Sequence, residues 1–391
     1  MKPITKTFVC VAFIGFPPVT RAAAQIEVTA ANKLPLARHS ETIEIPAKDL
    51  SPLAAKSLNL VHVKDSSGKE LICQAIDNDS DELREFDAVI FQADFAANET
   101  KPFTLTVGEK QVYSKDQYKA FGRFVRERFD DFAWENDLIA HRTYGKALET
   151  WKGEPLTSST IDIWSKRTPK MIINDWYLAD DYHVDHGEGA DYYSAGKSRG
   201  CGGSGLWEND RLWVSKNFVG SNVLANGPIR VLFELKYEAF NVGALAISET
   251  KRISLDAGSQ FDRFENHYGS LNSDEFPLLT AAIGLKKAAG EKLEMDAAQG
   301  WIVKWEKMEK NAGSQGLAIL TRPGNFSAHA EDELNHFVIT KLDAGRVLTY
   351  WAGFAWDKAG RFTDAEAWKK HVIQFAQALS SPIQVTMKPG A

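Results

Sequence analysis

The sequence predicts a mainly β protein: a small N-terminal β-sandwich followed by a large antiparallel β-sandwich with one C-terminal helix. Three observations carry this. Long runs alternate apolar and polar residues, Val231 to Phe240 (VLFELKYEAF) above all. Turn chemistry separates them, as in Asp256-Ala257-Gly258-Ser259. Strands do not alternate with helices, so a parallel βαβ sheet is excluded.

Taken in order, the chain opens with Lys2 and Lys6 before a short apolar core, Phe8 to Phe16, and Ala22-Ala23-Ala24 precedes Gln25. This is the pattern of a signal peptide over residues 1–24, and it predicts an exported protein, periplasmic or secreted. The apolar run is too short to span a bilayer as a helix. Residues 25–112 read as the small sandwich: Ile26 to Ala30, Glu41 to Ile45, Leu58 to Val63, Val89 to Phe95 and Phe103 to Val107 are strand-like, with Pro46 and Asp65-Ser66-Ser67-Gly68 as breakers. Ser114 to Arg128 reads as a helix broken at Gly122, or as a connector running into a strand. Residues 113–391 form the large domain. Its strands are predicted at Ala246–Leu255, Gln260–Tyr268, Leu278–Leu285, Trp301–Trp305, Gly316–Thr321, Phe337–Lys341 and Val347–Trp351. Thr363-Asp364-Ala365-Glu366 is a capping box, and Ala365, Trp368, Val372, Phe375 and Leu379 then fall on one helical face. A last strand is read at Ile383–Met387.

Composition bounds the function. The 391 residues are 44% hydrophobic and 25% charged, as in a folded globular protein. A net charge of −6 argues against nucleic acid as a partner. Past the leader the chain keeps Cys73 and Cys201, which an oxidising compartment allows to pair.

Chemistry concentrates between Tyr182 and Trp213 (YHVDHGEGADYYSAGKSRGCGGSGLWENDRLW). The segment has neither strand nor helix period, so it reads as a glycine-shaped loop around His183, Asp185, His186, Glu188, Asp191, Tyr192 and Tyr193. Gly196-Lys197-Ser198 imitates the end of a phosphate loop, but Asp191 stands where that loop needs glycine. His183, Asp185 and His186 are types that hold a divalent metal, yet the HxDH spacing defines no ligand set, and acid/base work by histidine is preferred. No cofactor is called for. A second group, Asp130 to Asp137 followed by His141 and Arg142, sets acids beside a guanidinium able to clamp a carboxylate or simply to form a structural ion pair. His267 shares an alternating face with Arg263 and Glu265, lining a cleft or facing water. Of eleven tryptophans, Trp207, Trp213, Trp351 and Trp356 fall near turns, where flat faces suit sugar rings.

The stretches DDFAWEND…AHRTYG and YHVDHGEGADYYSAG…GCGGSGLWENDRLW resemble a family of exported bacterial proteins catalogued as a domain of unknown function and associated with polysaccharide utilisation. The resemblance implies a supersandwich of galactose-mutarotase type. It also implies dehydratase or lyase activity on uronate-containing glycans such as ulvan. β-Elimination from a uronate needs a cation on the carboxylate, a base for the C5 proton and an acid for the departing C4 oxygen. By chemistry these roles suit Arg142 or Lys197, and His183 with Tyr193. His141, Asp185, Asp191, Trp207 and His267 are expected to contact substrate. Two rival expectations stand: a non-catalytic carbohydrate-binding protein, and a glycoside hydrolase using a pair from Asp185, Glu188 and Asp191.

Overall fold

The computed structural model describes residues 24–79, 81, 85–273 and 279–389. The leader segment, with Cys10, lies outside these residues except for Ala24. The architecture is mainly β and built of antiparallel sheets.

The N-terminal unit stacks two sheets. One runs Gln384–Pro389, Gln25–Ala31, Thr100–Val107, Val61–Asp65, Glu70–Leu71, and the other Arg38–Pro46, Ala88–Phe95, Cys73–Ile76. Ile26, Val28, Ile43, Val63, Phe91 and Leu105 fill the space between them. The final strand therefore pairs with the first: Ala30 faces Val385 and Val28 faces Met387. The unit is not contiguous in sequence. Period-2 patterning finds the strand but not its partner, because pairing across the chain leaves no local signal.

The large unit is organised around a nine-stranded sheet. Its central strands are Arg230–Tyr237, Leu245–Asp256, Phe261–Ser270, Val347–Trp356 and Ser314–Leu320. Two five-stranded sheets cover one face. One contains Cys201–Glu208, Thr280–Lys286 and Asn335–Lys341; the other contains Ala120–Val125, Asp131–Asn136, Ala140–Tyr144, Asp162–Lys166 and Gly189–Ala190. The main core lies between, with Phe132, Trp134, Phe233, Ile253, Phe264, Ile283 and Tyr350. A short helix α1 (Ile173–Ala179) follows the strand Asp162–Lys166, and the longer helix α2 (Ala365–Ser380) lies on the opposite face of the nine-stranded sheet. The Asp364 carboxylate caps α2 by accepting from Ala367 N, and Trp368, Val372 and Ala376 pack onto Phe261, Trp301 and Leu320.

One alternative is decided and two expectations change. Ser114–Arg128 is the connector running into a strand, Ala120–Val125, with Gly122 inside it. The glycine-rich stretch is a loop only as far as Gly200; Cys201–Glu208 is a buried strand. Its glycines are small because neighbours come close: a Cβ on Gly202 would lie 2.3 Å from the Ala352 Cβ, and one on Gly205 2.5 Å from the Trp213 carbonyl. Cys73 and Cys201 are both free and buried, one in the N-terminal core and one in the main core, so they do not pair. Among the described residues no helix is long and apolar enough to cross a membrane.

Candidate active site

Strand alternation on the sheet Ala120–Ala190 sorts its polar residues onto two faces. Arg142 stands directly opposite Asp162 in register, and Tyr144 opposite Asp131. These four face outward, beneath a lid formed by α1 and Tyr182. His141, opposite Trp134, faces inward.

The outward face holds a buried ionic cluster. Arg142 Nη2 donates to Asp191 Oδ2 (2.7 Å) and Nε to Asp162 Oδ2 (3.0 Å), and Nη1 lies 3.5 Å from Asp131 Oδ2. Tyr144 and Tyr177 hydroxyls donate to Asp162 (2.7 Å) and Asp131 (2.9 Å). The rings of Trp164, Tyr144 and Tyr182 each lie 5.6 Å from the guanidinium carbon. Three carboxylates share one guanidinium in a dry site, so charge is not balanced by Arg142 alone. Burial pushes Asp191 up to about 8 against the pull of Arg142, and Asp162 and Asp131 push the same way. Burial pushes Asp131 up to about 6. Asp131 Oδ1, Asp191 Oδ1 and Nη1 of Arg142 and Arg128 are buried without a hydrogen-bond partner among the described residues.

His183 stands at the outer end of this cluster. Its side chain is 64% exposed, whereas that of Asp191 is 1% exposed. His183 Nδ1 lies 3.2 Å from the Asp191 carbonyl oxygen and 3.5 Å from its Oδ2. A carbonyl oxygen only accepts, so Nδ1 carries the proton and Nε2 keeps a lone pair. The result is an exposed base with a buried carboxylate behind it.

The loop is held by its own chemistry. Asp185 Oδ1 accepts from Gly187 N (2.8 Å) and Gly189 N (3.1 Å); its Oδ2 accepts from Tyr192 OH (3.1 Å) and pairs with Arg167. Gly189 has φ +117°, and a Cβ there would sit 2.0 Å from the Ser165 carbonyl. His186 pairs with Asp181 (2.8 Å) and Glu188 with Lys170 (2.6 Å). His183, Asp185 and His186 thus turn to three different partners, and HxDH does not form one ligand set. The group of three carboxylates close enough to share an ion among the described residues is elsewhere, at Asp77, Asp79 and Asp87.

The structure brings His183, Asp191 and Arg142 together and separates the other candidates. Arg142 is buried and ion-paired with Asp191, Asp162 and Asp131, so it is a structural clamp on Asp191 and not a free carboxylate receptor. Tyr193 is buried in the main core, where burial raises its hydroxyl pKa well above normal; it cannot serve as an exposed acid. Lys197 is exposed and has no ion-pair partner among the described residues. His141 is sealed in the interior, stacked on Trp134 (5.2 Å) and 3.0 Å from Asp262, and burial lowers its pKa to about 3. It does not reach the outward site. Asp185 is committed to the loop backbone, Tyr192 and Arg167. Trp207 is half-buried against Phe337 on the other five-stranded sheet, and His267 lies on the half-exposed outer face of its strand with Arg263 and Glu265. Trp351 and Trp356 are buried.

Sequence reasoning missed Asp162, Tyr177 and Arg128. Asp162 and Tyr177 belong to segments with no distinctive motif, α1 being only seven residues long. Arg128, whose Nε donates to Tyr182 OH (2.8 Å), ends the segment Ser114–Arg128, to which the sequence assigns no chemistry.

The chain matches the family described as Domain of unknown function (DUF4861) over residues 30–385, and it belongs to that family. The Uncharacterized protein P7 of Formosa agariphila is 34% identical over 377 residues, covering 92% of this chain and 93% of that protein. Among solved structures, an α-mannosidase from Enterococcus faecalis V583 overlaps with a TM-score of 0.48 at 10% identity, over 93% of this chain and 46% of that one. A protein of glycosyl hydrolase family 38 from Enterococcus faecalis overlaps at 0.49 and 12%, over 95% of this chain and 48% of that one. The chain spans about half the length of these two solved chains.

Proposed function

We propose that this chain is an exported carbohydrate-active enzyme that eliminates water or a sugar across C4–C5 of a uronate-containing oligosaccharide, with His183 as the base. The observation that carries the reading is the His183–Asp191 arrangement: an exposed Nε2 lone pair, a tautomer fixed by the Asp191 carbonyl, and the buried Asp191 carboxyl group beside the ring. As His183 takes the C5 proton at Nε2, the Asp191 carbonyl oxygen goes on accepting from Nδ1 and keeps the imidazolium that forms in place. Lys197, the unpaired cation of the same loop, neutralises the substrate carboxylate in place of Arg142. The resemblance of the two long motifs to a family associated with polysaccharide utilisation supports the choice of substrate.

Hydrolysis by paired carboxylates is the weaker reading on a specific ground. Lys170 holds the Glu188 carboxyl below its ordinary range, the wrong direction for a general acid, and Asp185 is committed to Arg167 and the loop backbone.

The test is ultraviolet absorbance of the conjugated C4–C5 double bond while the protein meets a panel of uronate oligosaccharides, with and without chelator. Turnover should appear and fall roughly 10²- to 10⁴-fold in His183→Ala, with partial rescue by added imidazole. The exposed side chain makes loss of fold an improbable cause, and thermal unfolding checks it. A His183→Ala enzyme with unchanged turnover would remove His183 from the mechanism.

A further inference from the structure

We infer that a cleft lined by Arg361 is an anion subsite that takes the carboxylate of an acidic sugar. The inference rests on the functional reading above for the sugar, but not for the anion. The cleft has a volume of about 170 Å³ and lies between the segments 137–139, 166–169, 354–356 and 359–362. Its floor is apolar, with Ile139, Phe354 and Phe362, and its walls bring together three cations, Lys166, Arg167 and Arg361, and one acid, Asp137. An apolar floor with a few convergent polar groups is the usual make-up of a ligand site.

The three cations are not equivalent. Lys166 Nζ is buried and committed to Glu135 Oε2 (2.7 Å) and the Asn136 carbonyl (2.8 Å). Arg167 pairs with Asp185 and lies over the Trp356 ring, 4.9 Å from its centroid. Arg361 makes no hydrogen bond or ion pair with the described residues; it lies over the Phe362 ring at 5.7 Å. Asp137, the opposing charge in the cleft, already accepts from Gly258 N at 2.7 Å. The planar guanidinium of Arg361 therefore keeps its donors for a ligand, and a carboxylate matches their geometry two at a time. The cleft also adjoins the glycine loop: Asp185 grips Arg167, and Tyr192 packs on Trp356 at 5.7 Å. An oligosaccharide anchored at Arg361 would thus lie against the part of the loop that holds Asp185 and Tyr192.

The experiment is calorimetric titration of the full chain with glucuronate, glucose and sodium sulfate, on wild type, Arg361→Gln and His183→Ala. Glucuronate should bind wild type saturably, glucose should not, and sulfate should compete only weakly. Arg361→Gln should weaken glucuronate binding by at least roughly tenfold, while thermal unfolding stays that of the wild type, because the residue is exposed and unpaired. His183→Ala should bind glucuronate as wild type does. Equal binding of glucose and glucuronate, no binding of glucuronate, or full binding by Arg361→Gln would each overturn the subsite. Arg361-dependent binding without any elimination would leave the subsite standing and sink the catalytic reading; elimination without Arg361 dependence would do the reverse.

Discussion

Burial pushes the Asp191 carboxyl up to about 8, against 3.8 for an ordinary aspartate, and that of Asp131 up to about 6. Between those values and 3.8 the folded chain binds more protons than the unfolded one, so this cluster makes stability fall as pH rises from about 4 toward 8. Asp191→Asn removes one such group. Urea unfolding across that window should show the pH slope flattened by about 1.4 kcal/mol per unit, with the Asp131 contribution left below about pH 6. An unchanged slope would mean that Asp191 is ionised in the fold. Tyr193→Phe is the contrasting case. Its hydroxyl is buried without a partner among the described residues, so turnover should be retained and stability should change by less than about 1 kcal/mol. The sequence named both residues because both titrate and both lie in one polar stretch. It could not separate them, since a loop without period hides which side chains turn inward. Where a strand period existed it was informative: His141 and Arg142 are adjacent, so alternation already sends them to opposite faces.

The loop between α1 and Cys201 owes its shape to particular glycines, and Gly189 is the most constrained. Its φ of +117° and the 2.0 Å approach of the Ser165 carbonyl forbid a side chain. Gly189→Ala should cost about 1–3 kcal/mol in backbone strain alone, and it should release the pairing of Lys166 with Gly189 that seats the loop. The expected readout is a lowered Tm together with loss of turnover, whereas Gly187→Ala, which meets nothing within 4 Å, should affect stability less. Elements with a clean period were legible from sequence: the strands Leu245–Asp256 and Phe261–Ser270, and α2 with its Asp364 cap. The strand Cys201–Glu208 was not, because its glycines answer to Ala352 and Trp213, residues far away in sequence or across a turn. Helix α1, seven residues long, carries too few turns for a period to register.

The two units are joined by a contact that the sequence did not announce. Gln74, on a strand of the N-terminal unit, accepts from Ile229 N (3.0 Å) and Arg230 N (2.8 Å) and donates to the Arg230 carbonyl (3.0 Å). Around it, Ile76, Ala88 and Ile90 pack against Ala225, Ile229 and Leu232, and Arg230 bridges Glu44 and Asp256. A single side-chain amide thus satisfies three backbone groups across the junction, something no hydrophobic pattern encodes. Gln74→Ala leaves those groups unpaired in a mostly dry interface and should destabilise by about 2–4 kcal/mol. The chain also crosses the junction twice, going out after Val107 and returning as the strand Gln384–Pro389 on the N-terminal sheet. Because that return strand completes the first sheet, the N-terminal unit does not hold its full set of strands without the chain that leads back out of the large unit. Calorimetry should therefore show Gln74→Ala unfolding at a lower Tm but still in one transition. Two resolved transitions would mean that the returning strand and the apolar contact are too weak to couple the units, and that the N-terminal sandwich unfolds on its own.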